Sequence, residues 1–231
     1  MSAIATHSAG VAVRPTRAWA AASTGAAFAF FYLIGTASLN APHGGSDQKI
    51  VDWWSKSGHQ IEAIISMYSF AIAGLVFLVF MTHVRSFLAG KGTASSRLSE
   101  LIASSSTVFV VMLFVAAVAR GVTGFAAKSS FGDPLPHADL LRYLPQLSYA
   151  AGSLALLAAA VAITAISAII LRDRTFGRWL AWLGFVVSAA IVIANVFLAA
   201  GLVIPAVLIW ALAMSAAMLR ASRDVSPATV Q

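Results

Sequence analysis

Six apolar runs, each about the length of a membrane-crossing helix, dominate this chain. They cover residues 18–39, 61–83, 101–124, 147–171, 179–199 and 202–219. A bilayer core of about 30 Å is crossed by roughly 20 apolar residues in a helix. In hydrocarbon every backbone N–H and C=O must pair within the protein, and a helix does this locally, so the runs predict six transmembrane helices. Only Ala200 and Gly201 separate the last two runs. Joined, they would be too long for one span, and Gly201 with Pro205 predicts a tight helical hairpin between them. The expected fold is an all-α integral membrane protein, a bundle of six transmembrane helices. Residues 1–17 form an N-terminal segment, 18–219 the membrane domain and 220–231 a tail.

The first run follows Arg14 and Arg17. The apolar region of a cleaved signal peptide spans about 7–15 residues. This run is longer, so it is expected to persist as the first span.

Charge placement orients the bundle. With the N-terminus inside, the cytoplasmic gaps hold ten basic residues: Arg14, Arg17, Arg85, Lys91, Arg97, Arg172, Arg174, Arg178, Arg220 and Arg223. The other side holds four, Lys49, Lys56, Lys128 and Arg142. The positive-inside rule then predicts that both termini are cytoplasmic. Trp19, Trp179 and Trp182 fall at the inner interface, where an indole keeps its apolar ring in lipid and its N–H near water.

The same placement excludes a nucleic-acid partner. The net charge is +7, but the charges stand singly beside apolar runs, and no cluster tracks a phosphate backbone. With 60% hydrophobic and 10% charged residues, the chain is far from the roughly 25% charged of a soluble domain. There is no cysteine, hence no disulfide, thiolate nucleophile or iron–sulfur ligand. No Walker, Rossmann or G-x-S-x-G pattern occurs, and no paired histidine spacing suits a metal. No cofactor and no metal are expected.

Two interfacial helices are expected on the outer side, near 46–60 and 137–144. In the first, Ser46 can cap a segment whose apolar residues are Ile50, Val51, Trp53 and Trp54. It reads either as a membrane rim or as a lid, with Trp53, Trp54, His59 and His137 as lid residues. Pro145 is expected in the first turn of the fourth span, where its missing N–H costs little.

The most informative pattern is polar asymmetry. Glu62, Ser66 and Ser69 share one face of the second span, and Arg142, Gln146, Tyr149 and Ser153 one face of the fourth. Arg120 and Asn195 lie in the outer halves of the third and fifth spans. The inner half is almost wholly apolar. Ionisable residues within spans are costly, which makes them candidates for function. Glu62 and Arg120 are expected to meet at the outer interface. The pattern suggests an outward-facing pocket lined by Glu62, Ser66, Ser69, Arg120, Arg142, Gln146, Tyr149 and Asn195, floored by Ala116 and Ala117. The bland reading is a helix-locking ion pair with interhelical hydroxyl bonds.

Three functions fit. The first is a sensor, accessory or transport component that binds a small or lipidic ligand in the pocket. The second is a membrane enzyme acting on a lipid or isoprenoid, with Glu62 or Asp139 as general acid. The third is a structural subunit that meets a membrane partner, or a second copy, through Ala117, Gly121 and Gly124. All three imply contact with a lipid bilayer.

Several strings add a family likeness: Arg14-Pro-Thr-Arg-Ala-Trp19, Trp53-Trp54 ahead of Gly58, Arg178-Trp-Leu-Ala-Trp-Leu-Gly184, and Pro205 before Leu208-Ile-Trp210. The chain resembles small multi-pass membrane proteins of actinobacteria that carry a domain of unknown function. The resemblance implies a bacterial plasma-membrane protein with about this number of spans, and it implies no activity.

Overall fold

The computed structural model describes residues 15–42, 45–89, 96–129, 135–174 and 176–223. Its helices are α1 (Pro15–Ala37), α2 (Asp47–Ser55), α3 (Ser57–Ala89), α4 (Ser96–Lys128), α5 (Ala138–Asp173), α6 (Arg178–Val196) and α7 (Ile204–Arg223). A 3-10 turn, Ala200–Val203, leads into α7. No strand occurs among the described residues. Six of the helices are long and apolar enough to cross a membrane, and each overlaps one of the six runs. The protein is a multi-pass helical membrane protein.

The spans alternate in direction, so one end of the bundle carries α2, the start of α3 and the end of α4. The opposite end carries Arg85, Arg97, Arg172, Arg174, Arg178 and Arg220. Neighbours pack in the cyclic order α1, α3, α4, α5, α6, α7, with α7 returning to α1. The α6–α7 seam is the thinnest. α5 is the most buried span, 67% of its apolar window against 33–44% for the others. Its alanines, among them Ala151, Ala155, Ala159 and Ala162, are buried and let α4 and α6 approach closely. Aromatic rings fill the centre: Phe28, Phe77 and Phe109 meet in tilted and edge-on contacts with centroids 4.2–6.1 Å apart.

Lipid tails are as apolar as leucine, so contact area must hold the helices together rather than water exclusion. The α3–α4 seam shows how. A Cβ on Gly121 would lie 2.9 Å from the Ala63 carbonyl oxygen, and one on Gly124 would lie 3.0 Å from Ala63 Cβ. Ala117 is buried in the same seam. One of the three alternatives gave this small-residue face to a partner; Gly121 and Gly124 instead pack against α3.

Three local features differ from expectation. No separate helix forms at 137–144, because those residues are the first turns of α5. Pro145 consequently lies inside α5 rather than in its first turn. At the α6–α7 hairpin the left-handed residue is Leu198, at φ 55°, and not Gly201. Pro205 does sit in the first turn of α7, where a missing N–H costs little.

Of the segment 46–60 expected as one interfacial helix, only α2 forms separately, with Ser46 Oγ accepting from the Lys49 amide at 3.4 Å, while residues 57–60 belong to α3. α2 ends at Lys56, whose extended backbone (ψ 122°) turns the chain directly into α3. Gln60 Nε2 donates to the Trp54 carbonyl at 2.9 Å, satisfying one of the free carbonyls at the end of α2. Ile50 and Trp54 are fully buried and pack with Leu39, Ala63 and Leu141. α2 is therefore clamped across the bundle end.

Candidate functional site

The site begins at the end of α1. The last four carbonyls of a helix lack intrahelical donors and carry partial negative charge. Here Ile34 O accepts from the Ser38 amide at 2.9 Å and from Ser38 Oγ at 2.6 Å. Gly35 O accepts from Ser66 Oγ at 2.6 Å. Thr36 O accepts from Arg120 Nη2 at 3.1 Å, and the same nitrogen donates to Leu39 O at 2.6 Å. Arg120 Nε donates to Ser66 Oγ at 2.5 Å. The guanidinium carbon lies 5.5 Å from the Phe70 ring centre, within reach of cation–π attraction. Phe70 comes this close to α1 because Gly35 has no side chain: a Cβ there would lie 2.8 Å from the Phe70 ring.

Arg120 is thus held by carbonyl dipoles and a hydroxyl. Among the described residues no carboxylate pairs with it. This overturns the expected Glu62–Arg120 pair. Glu62 is exposed, and its Oε2 lies 3.1 Å from His59 Nδ1. The cause is a single helical turn. Ser66 stands at the depth of Arg120, while Glu62 sits four residues, or about 6 Å, nearer the α2 end.

Arg120 lines a partly open cavity of about 260 Å³ between α1, α4, α5 and the α6–α7 turn. Tyr32, Thr36, Asn40, Ser148, Tyr149 and Ser153 supply its other polar groups. Phe70, Leu113, Ala116, Leu156 and Ile204 give it an apolar wall. Ser148 Oγ is occupied by the Ala116 carbonyl at 2.9 Å, and Tyr149 donates its hydroxyl to the Leu198 carbonyl at 2.6 Å. Arg120 Nη1 and the Tyr32 hydroxyl make no hydrogen bond among the described residues. A Cβ on Gly152 would meet nothing within 4 Å, so the α5 wall has open space in front of it.

The remaining expected site residues divide. Ser66 touches Arg120 directly, Tyr149 stands at the cavity rim, and Ala116 is part of the wall. Ser69 is buried but outside the cavity lining. Gln146 is exposed and Asn195 bonds to its own helix, Nδ2 to Ile191 O at 2.9 Å; neither lines the cavity. Arg142 ties α5 to the start of α2, reaching Asp47 Oδ1 at 2.9 Å, Gly45 O at 3.2 Å and Asp139 Oδ1 at 3.8 Å. His59 stacks on Trp53 at 3.9 Å, and Trp54 anchors α2. His137 and Asp139 are exposed at the start of α5. Neither candidate acid, Glu62 or Asp139, lines the cavity.

Sequence reasoning missed Tyr32, Thr36 and Gly152. Tyr32 and Thr36 are four residues apart on one face of α1, a polar pair in an apolar run that was legible in principle. A larger groove of about 720 Å³ lies between α4, α5 and α6. Its lining is almost entirely apolar side chains such as Leu157, Val161 and Val192, so it offers shape without polar recognition.

No family model matches the chain, and neither a curated protein nor a solved structure matches it. The actinobacterial likeness therefore stands on the quoted strings alone.

Proposed function

We propose that this is a ligand-binding membrane protein whose cavity takes a small amphipathic molecule with an anionic or carbonyl head, as a sensor, accessory or transport component. One observation carries this reading. Among the described residues, a cation without a carboxylate partner lines a cavity and keeps Nη1 unbonded, and the Tyr32 hydroxyl in the same lining is likewise unbonded. A guanidinium recognises carboxylate or phosphate oxygens through its fork of N–H groups. The apolar wall suits the body of such a ligand. The volume lies below the ~300–1,000 Å³ of drug-sized sites, which favours a small molecule or the end of a longer one.

In this reading the α2 end faces outward and the basic end lies in the cytoplasm of a bacterial plasma membrane. The ten-to-four division of basic residues supports that orientation. α2 is then a cover over the outer end, held by Trp54 and by the Arg142–Asp47 pair.

Gly152→Leu tests the proposal without touching Arg120. The isobutyl group enters open space, so folding is retained while the cavity fills. Protein purified gently from its host membrane is compared by native mass spectrometry. Wild type should carry a small co-purifying amphiphile that Gly152→Leu loses at least tenfold with an unchanged melting curve. The same bound molecules in both proteins, or none in either, would overturn the reading.

A further inference from the structure

At the basic end of the bundle, a groove of about 530 Å³ lies between the start of α6 and the end of α7. It is remote from the Arg120 cavity and shares no lining residue with it. Its floor is small and apolar: Ala213, Ala216 and Ala217 from α7, with Leu180 from α6. Two arginines border it, Arg174 from the α5–α6 connection and Arg220 from the last turns of α7. Both are exposed, and neither makes an ion pair among the described residues.

The described residues on either side of position 175 make defined contacts. Arg174 takes a left-handed conformation, φ 49°, and its amide closes α5 by donating to Ile170 O at 3.0 Å. Phe176 stacks on Phe87 of α3 at 5.2 Å and 16°. Gly177 leaves room for the indole of Trp179 to fold back: a Cβ there would lie 2.9 Å from Trp179 Nε1. Gly177 caps α6 without a side-chain hydrogen bond, so the first amides of α6 receive no side-chain acceptor there.

We propose that this groove binds an anionic phospholipid, its phosphate held between Arg174 and Arg220 and one acyl chain lying on the alanine floor. Charge selects the occupant. Two cations, an indole at the interface and the positive end of a helix converge where an apolar groove meets the end of two spans. Basic pockets between spans are suited to acidic headgroups, and each basic residue near the surface adds attraction. A zwitterionic lipid offers the same chains but adds a cation where two arginines already stand. Asp173 precedes Arg174 but does not line the groove.

The test uses the full-length protein in a neutral detergent, titrated with phosphatidylglycerol or phosphatidylcholine and read by native mass spectrometry. Wild type should retain phosphatidylglycerol at least tenfold better than phosphatidylcholine. The double variant Arg174→Gln with Arg220→Gln should lose about tenfold in phosphatidylglycerol retention. Arg97→Gln, an exposed arginine at the same end on α4, should lose less than twofold. Ala216→Trp, which fills the floor from an exposed position and keeps both charges, should weaken retention of the lipid while free glycerol phosphate remains without effect. Equal retention of the two lipids, or equal loss in Arg97→Gln and the double variant, overturns the proposal. So does displacement of the lipid by glycerol phosphate alone, which would assign the site to a soluble anion. Melting curves measured on each variant separate loss of binding from loss of fold.

Discussion

Replacing Arg120 by methionine is expected to destabilise the protein by loosening the end of α1. Methionine keeps an unbranched apolar stem and removes every donor. Thr36 O and Leu39 O then lose Nη2, and Ser66 Oγ loses the bond it accepts from Nε. Each orphaned buried carbonyl costs about 1–3 kcal/mol, so the two together cost about 2–6 kcal/mol. Against this, the variant no longer has to strip water from a guanidinium, a penalty of several kcal/mol that rests on the folded state. The two effects oppose, and the acceptors dominate because one substitution strips donors from three of them, Thr36 O, Leu39 O and Ser66 Oγ, against the relief of a single charge. The net loss should be about 2 kcal/mol. Arg120→Lys keeps the charge but not the fork, so one ammonium cannot serve both carbonyls and Ser66 as a guanidinium does; its loss should be about half as large. Reversible unfolding in mixed micelles, followed by circular dichroism, gives the free energies. Hydrogen exchange gives the location: protection should fall at residues 35–42 and hold in α5 and α6. A methionine variant within about 0.5 kcal/mol of wild type, with exchange unchanged at 35–42, would refute the capping argument.

Two further outcomes follow from the packing. Gly124→Ala should destabilise by about 1–3 kcal/mol, since its Cβ runs into the Gln60 backbone and Ala63 and must push α3 from α4. Gly58→Ala, where nothing lies within 4 Å, should instead gain up to about 1 kcal/mol from helix propensity; opposite signs in one unfolding assay are the check. Trp54→Ala removes the buried anchor of α2, a change that costs about 3–5 kcal/mol in a cohesive core. Because α2 packs chiefly on α3 and α5, the loss should appear as rapid hydrogen exchange at 47–55 while exchange in α4 and α7 stays slow.

The six spans were legible because length and apolarity are set by the bilayer, and a run of twenty such residues has little else it can form. α2 was legible for a related reason: Ser46 at its start and an apolar stripe through Ile50 and Trp54 give both a cap and a buried face. The continuous start of α5 was not. Residues 137–144 read as a separate interfacial helix, with Pro145 opening the next span, because the sustained apolar signal begins only at Leu147. Only packing against α2 and α4 extends the helix through them. The small-residue face of α4 was visible, but a stripe of Ala117, Gly121 and Gly124 looks the same whether its partner is another protein or the neighbouring helix.

The fate of Arg120 was the least legible of all, and the reason bears on its function. A sequence shows carboxylates, so a buried cation invites a carboxylate partner; backbone carbonyls leave no letter to read. Depth placed Glu62 and Arg120 at the same interface, but one helical turn is enough to exchange Glu62 for Ser66. Once the guanidinium caps α1 through Nη2 and Nε, its plane is fixed before any ligand arrives. In the proposed site, capping and ligand binding would therefore use different nitrogens and reinforce each other. A side chain already held by three hydrogen bonds loses little rotamer freedom when Nη1 meets an anion, so less of the binding energy goes into ordering it. Arg120→Lys should for this reason weaken ligand binding more than it weakens the fold, whereas Gly152→Leu should abolish binding and leave the α1 cap intact.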